Sequence, residues 1–238
     1  MKYAVYLLSF LCLAFVISLA PSSCAQEPMA PVAGLEDEET KQPTAPAPEQ
    51  DGEWTNIIYF TGIGCPHCAS SDPIVLKSRL RKGDVMVFEY EIYRDNVNGP
   101  LLMEYNKAYG ANLAVPQIIV TPKKAGIVSG DAPLLKSLDT LIKLHKGNDI
   151  VLSNDTVSFD ELSLVKLPYK PKIWFKNRLA SREDSSSLQS EKIKTFLLEE
   201  DFVPKECAPE KKSSVPLSGG KIKFKNACRF DGWVLMYD

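Results

Sequence analysis

The sequence predicts an α/β fold, a central mixed sheet flanked by helices, followed by a small α+β extension. Three observations lead there. From Glu53 to Asn148, apolar β-rich runs alternate with helical stretches in the order β-α-β-α-β-β-α. A Cys-x-x-Cys pair stands where the first strand passes into the first helix. Near residue 150 the style shifts, to short strands around one further helix.

Residues 1–25 read as a targeting segment. Lys2 supplies a short positive start, an apolar run follows from Ala4 to Ala20, and small residues come next. Three fates stay open: cleavage before Gln26, lipidation of Cys24, or retention as an anchor. For an anchor, a run of about 17 residues is at the short end. Each fate places the rest outside the cytoplasm, as a periplasmic, cell-surface or secreted protein, with membrane tethering through the N-terminus expected. Residues 26–51 combine prolines with acids, Glu36 to Glu39 among them, and hold no aromatic residue. Such a stretch cannot build a core and is expected to form a disordered tether. The net charge of −2 gives no general attraction to nucleic acid, so no such partner is expected.

The domain expected over 52–148 is built element by element. "WTNIIYFTG" is a strand. "CPHCASSDPIVLKSRLRKG" is a helix opening near Cys65, with Pro66 in the tolerant first turn and Pro73 placed to kink it. "VMVFEYEIYR" is the second strand, and "NGPLLMEYNKAYG" a helix ended by Gly110. "VPQIIV" is a short strand entered through Pro116, and "AGIVSGD" an edge strand. "APLLKSLDTLIKLHKG" is an amphipathic helix closed by Gly147. Over 149–238, "KIWFKNRLA" predicts one strand. "SSSLQSEKIKTFLLEED" predicts a helix with Ser186 and Gln189 at capping-box spacing. "GGKIKFKNACRF" and "WVLMYD" predict two strands joined at Asp231-Gly232.

Cysteine usage carries the functional signal. Cys12 lies in the apolar run and Cys24 beside the cleavage site, which leaves Cys65, Cys68, Cys207 and Cys228. An even number in an oxidising compartment suggests two pairs, and the spacing suggests Cys65 with Cys68 and Cys207 with Cys228. The second pair reads as a structural disulfide, with a second redox pair as the alternative. Cys65 at a helix start faces unpaired backbone N–H groups, which favour a thiolate, so it is the candidate nucleophile. Cys68 lies one turn on and would resolve a mixed disulfide. His67 can add positive charge beside the thiolate, and Pro66 stiffens the turn. Zinc wants four ligands, whereas the only histidines are His67 and His145 and there is no second Cys-x-x-Cys, so no metal or other cofactor is expected. Copper held by two thiolates and His67, or a plain bridge, remain as alternatives.

The strand, "CPHC", the helix carrying Pro73, and the Val115-Pro116 step opening a later strand together resemble the thioredoxin superfamily over about residues 52–148. "CPHC" with valine before that proline is similar to the DsbA-type thiol oxidases. The resemblance implies a thioredoxin-like fold and a redox-active Cys65–Cys68 dithiol. It implies a cis Pro116 facing that dithiol, and a Val115 that offers backbone groups to an extended substrate. Substrates would be exported cysteine-containing proteins, and a membrane redox partner would re-oxidise or reduce the pair. Oxidase is preferred over reductase or isomerase, with a non-catalytic protein-binding module on the same scaffold as the other alternative. Three features depart from the family. The interval from Cys68 to Pro116 is too short for the helical insertion of DsbA. Tyr59 stands six residues before Cys65, where many thioredoxins carry a buried acid, and Gly64 replaces the tryptophan that often precedes the motif. Residues 149–238 have no counterpart in the family.

Overall fold

A computed structural model describes residues 54–184 and 188–238. The expected targeting segment and tether, Cys24 included, lie outside the described residues, as does Ser186. The elements run Thr55–Thr61 (β1), Pro66–Pro73 (α1), Val85–Glu91 (β2), Gly99–Tyr109 (α2), Gln117–Ile119 (β3), Ile127–Ser129 (β4) and Asp131–Leu144 (α3). They continue with Asp149–Val151 (β5), Thr156–Ser158 (β6), Lys172–Phe175 (β7), Arg178–Arg182 (β8) and Ser190–Leu198 (α4). The chain closes with Ala208–Pro209 (β9), Ser214–Leu217 (β10), Gly220–Lys223 (β11), Asn226–Phe230 (β12) and Trp233–Tyr237 (β13).

Among the described residues, nine strands form one mixed sheet in the order β4-β3-β1-β2-β7-β8-β13-β12-β9. The β1–β2 pair is parallel and the other neighbours are antiparallel. Every residue of β1 and β2 is buried, which is why both read as near-continuous apolar runs. Side chains alternate across the sheet with period two. Ile58, Phe60, Phe88 and Tyr90 face one way, against Leu101 and Tyr105 of α2 and Ile193 and Phe196 of α4. Ile57, Tyr59, Val85 and Val87 face the other, against Val75 and Leu76 beyond α1 and Leu134 and Leu138 of α3. The architecture is therefore mixed α/β, with the sheet between two helical layers.

The stretch from 149 onward continues this sheet. β7 pairs with β2 from Met86↔Phe175 to Glu89↔Lys172, and the described residues fall within one compact unit, with residue 148 inside it. A buried polar seam marks the join: Glu89 accepts from Trp174 Nε1 at 2.6 Å and from Lys172 Nζ at 3.3 Å.

Several local expectations change. "KIWFKNRLA" is a hairpin, β7 and β8, turning at Lys176-Asn177 with Lys176 at φ 51°. No glycine announces that turn. "GGKIKFKNACRF" is two strands, β11 in a separate ribbon with β10 and β12 in the main sheet. The helix expected over 185–201 is shorter and begins at Ser190, and the Gln189 side chain makes no capping bond. The Asp231 carboxylate receives the Leu188 and Gln189 N–H groups instead, at 2.6 and 2.7 Å. α3 ends at Leu144, before Gly147. Pro73 closes α1 and the chain continues as one π-helical stretch, Ile74–Arg79. The Asp231-Gly232 turn, with φ 47° and 79°, joins β12 to β13 as expected.

Candidate functional site

β1 delivers the chain into a tight loop, Gly62–Cys65, in which the Cys65 N–H donates to the Gly62 carbonyl at 3.0 Å. Gly64 sits at φ 98°, a conformation that disfavours side chains. Cys65 is extended, at φ −73° and ψ 123°, and is the N-cap of α1. Its Sγ accepts the Cys68 N–H at 3.3 Å, the part an Asp or Ser oxygen usually plays. Pro66 occupies the first turn, where no helical N–H is wanted.

Cys65 and Cys68 are both free and buried. Burial first, and then the bond to Cys65, push the Cys68 thiol up to about 12, against the opposing pull of bonds from Thr61 and the Gly62 backbone. The Val115 carbonyl oxygen stands 3.9 Å from Cys65 Sγ. The Val115–Pro116 peptide is cis, and the Pro116 carbonyl accepts the Gly130 N–H at 2.8 Å. His67 is largely exposed and turns to Asp131, Nδ1 to Oδ1 3.2 Å. That hydrogen bond is the main cause holding the Asp131 carboxyl below its ordinary value.

Four groups that the sequence did not flag complete the site. Asp72 is fully buried. It accepts from Tyr59 Oη at 2.7 Å, Thr61 Oγ1 at 2.6 Å and the Ser218 N–H at 2.8 Å. It stands four residues beyond Cys68, on the same helical face, so the i, i+4 spacing could have found it. An acid is thus present near the dithiol, supplied by the helix instead of the strand position held by Tyr59. Tyr93 lies flat over Gly62, where an added Cβ would fall 2.8 Å from its ring. Desolvation first, then the charges of Cys65 and Cys68 and a hydrogen bond to Cys65, push the Tyr93 phenol up. Glu91 gathers the N–H groups of Ile63, Tyr93, Arg94 and Asp95, all within 2.8–2.9 Å. Burial alone would raise this carboxyl, but the four donors outweigh it and hold it below its ordinary value. Ser218 comes from the β10–β11 tip, and no local pattern points to its place.

Cys207 and Cys228 form a disulfide with Cα atoms 5.5 Å apart. It ties the segment entering β9 to β12, on the sheet edge far along the strand order from β1. Among the described residues, no group of three or more His, Cys, Asp or Glu side chains is placed to hold a metal ion, and no helix is long and apolar enough to cross a membrane. Comparison with known proteins finds no matching family model, no matching curated protein and no matching solved structure.

Proposed function

We propose that this chain is a thioredoxin-like thiol–disulfide oxidoreductase that acts outside the cytoplasm through Cys65 and Cys68. One observation carries the reading: a free cysteine pair opens a helix directly after a buried strand, with the Val115 carbonyl facing the first sulfur. The β4-β3-β1-β2 order, with α1 and α3 on one face and α2 on the other, supports the thioredoxin-like part. The Cys207–Cys228 bridge supports an oxidising compartment.

In the oxidising direction, a substrate thiolate attacks Cys65 Sγ of the Cys65–Cys68 disulfide. The S–S bond breaks, and Cys68 leaves as a thiolate that takes a proton. A second substrate thiolate then attacks the substrate sulfur of the mixed disulfide and displaces Cys65. The substrate loses two electrons, and the pair gains them. Reversed, the same steps reduce a substrate, and Cys68 must then lose its proton in order to attack Cys65. The buried Asp72, one turn along α1 from Cys68, is the acid that would take this proton. A substrate chain lying beside Val115 would place its sulfur against Cys65. In the oxidase direction, a membrane partner would take the electrons onward.

The test is equilibration of the purified chain against a glutathione redox series, with the Cys65–Cys68 state read by mass after trapping. A two-electron transition confined to this pair is expected. A potential well above the thioredoxin value of roughly −270 mV assigns an oxidase, and one near it a reductase. A pair that never exchanges sinks the proposal.

A further inference from the structure

Ser218 belongs to a ribbon that has no place in the main sheet. β10 and β11 pair only with each other, Val215↔Ile222 at their centre. A lone two-stranded ribbon is marginal in water, so this one depends on what it rests upon. Val215, Leu217 and Phe224 bury themselves in the same cluster as Val75, Leu76 and Leu80, which follow α1. At the tip, a Cβ on Gly219 would come within 2.5 Å of the Ala69 carbonyl oxygen and 3.1 Å of Pro73 Cγ. The tip backbone therefore lies directly on α1, and only glycine fits there.

The polar groups of the tip converge on the dithiol. Ser218 Oγ donates to the Cys65 carbonyl at 2.7 Å and accepts the Gly64 N–H at 3.2 Å. The Ser218 N–H donates to Asp72 Oδ2 at 2.8 Å. One residue, more than 140 positions away in sequence, thus holds both sides of the reactive turn. It also holds one oxygen of the acid whose other oxygen bonds Thr61. Apolar contacts through Leu217 and Val215 would suffice to anchor the ribbon. They do not account for a hydroxyl bridging the two peptide groups beside the Cys65 sulfur.

We propose that Ser218 is a positioning residue of the dithiol, through which the C-terminal ribbon sets the redox poise of Cys65 and Cys68. The proposal rests on the thiol–disulfide reading given above. Ser218 touches neither sulfur; it acts through the backbone of Gly64 and Cys65 and through Asp72. The bonds are observed with both cysteines free, and we assign their strength to that state. Removing the hydroxyl weakens that state relative to the disulfide.

The experiment measures the glutathione equilibrium of the full chain as wild type, Ser218→Ala and Ser218→Thr, with thermal unfolding recorded for each. Ser218→Ala should shift the equilibrium toward the disulfide about fivefold, the net worth of one hydrogen bond, or roughly 20 mV for a two-electron couple. Ser218→Thr keeps the hydroxyl and should return the equilibrium to within about twofold of wild type. An unchanged equilibrium in Ser218→Ala, whatever its unfolding temperature, overturns the proposal and reduces Ser218 to a staple. An equal shift in Ser218→Thr also overturns it, because side-chain shape and not the hydroxyl would then matter. A wild-type pair inert to glutathione overturns the underlying oxidoreductase reading, a result distinguishable from the other two.

Discussion

Two thiols three residues apart are both buried but have different partners. Cys65 caps α1, accepts the Cys68 N–H and lies 3.9 Å from the Val115 carbonyl oxygen. Cys68 meets burial that pushes its thiol up to about 12. Under the proposed function the first is the attacking sulfur, and the second waits for a group to take its proton. Tyr93 offers the clearest single-atom test, since its ring is fixed by Gly62 and its backbone by Glu91. Tyr93→Phe removes a hydroxyl whose ionisation the two cysteines oppose and leaves the ring in place. Alkylation of Cys65 by iodoacetamide at neutral pH, measured with Cys68→Ser in both proteins, should slow about fivefold, the worth of one hydrogen bond. An unchanged rate would mean that the Tyr93 hydroxyl does not serve the nucleophile.

At the level of elements, one carboxylate joins two loops. Glu91 ends β2 and ties Ile63, in the loop before α1, to the Tyr93–Asp95 segment. Its folded pKa lies below the unfolded value of about 4.3. The stabilisation is therefore fully present above that pH and is lost as pH falls through the folded pKa. Glu91→Gln should cost about 2 kcal/mol at pH 7, and the gap to wild type should close as denaturant midpoints are followed into acid. A gap of constant size would show that charge plays no part. The same elements show what could be read from sequence. The Cys65 turn, the Gly110 stop and the Asp231-Gly232 hairpin announce themselves through residues adjacent in the chain. The β7–β8 turn does not, because Lys176 takes φ 51° without the Asn-Gly or Asp-Gly signal. The site divides in the same way. Cys65 and Cys68 declare themselves by spacing, and Asp72 by helical periodicity once it is sought. Tyr93 and Ser218 reach the dithiol only through tertiary folding, so no window of sequence holds both them and the cysteines.

The molecule as a whole joins its two halves edge to edge. β2 would be the last strand of a sheet ending at 148, yet all seven of its residues are buried, and β7 covers its edge along four registered pairs. The seam is also ionic: Glu89 and Lys172 face each other across it, with the Trp174 indole donating to the same carboxylate. Burial holds the Glu89 carboxyl above its ordinary value, and Lys172 and Trp174 offset only part of that rise. Removing one partner of such a pair leaves an uncompensated buried group, typically at a cost of about 3–5 kcal/mol. A chain cut after residue 148 loses Lys172 and Trp174 together. It bares a long apolar edge strand that invites aggregation, and it loses the ribbon resting on α1. Residues 52–148 alone should therefore fail to give a soluble, cooperatively unfolding protein, although they hold both cysteines and the Val115-Pro116 step. Circular dichroism melts of that fragment beside the full chain decide the matter. A cooperative melt in the fragment, with Cys68 still protected from alkylation, would mean that the continuous sheet is not what holds the dithiol in place.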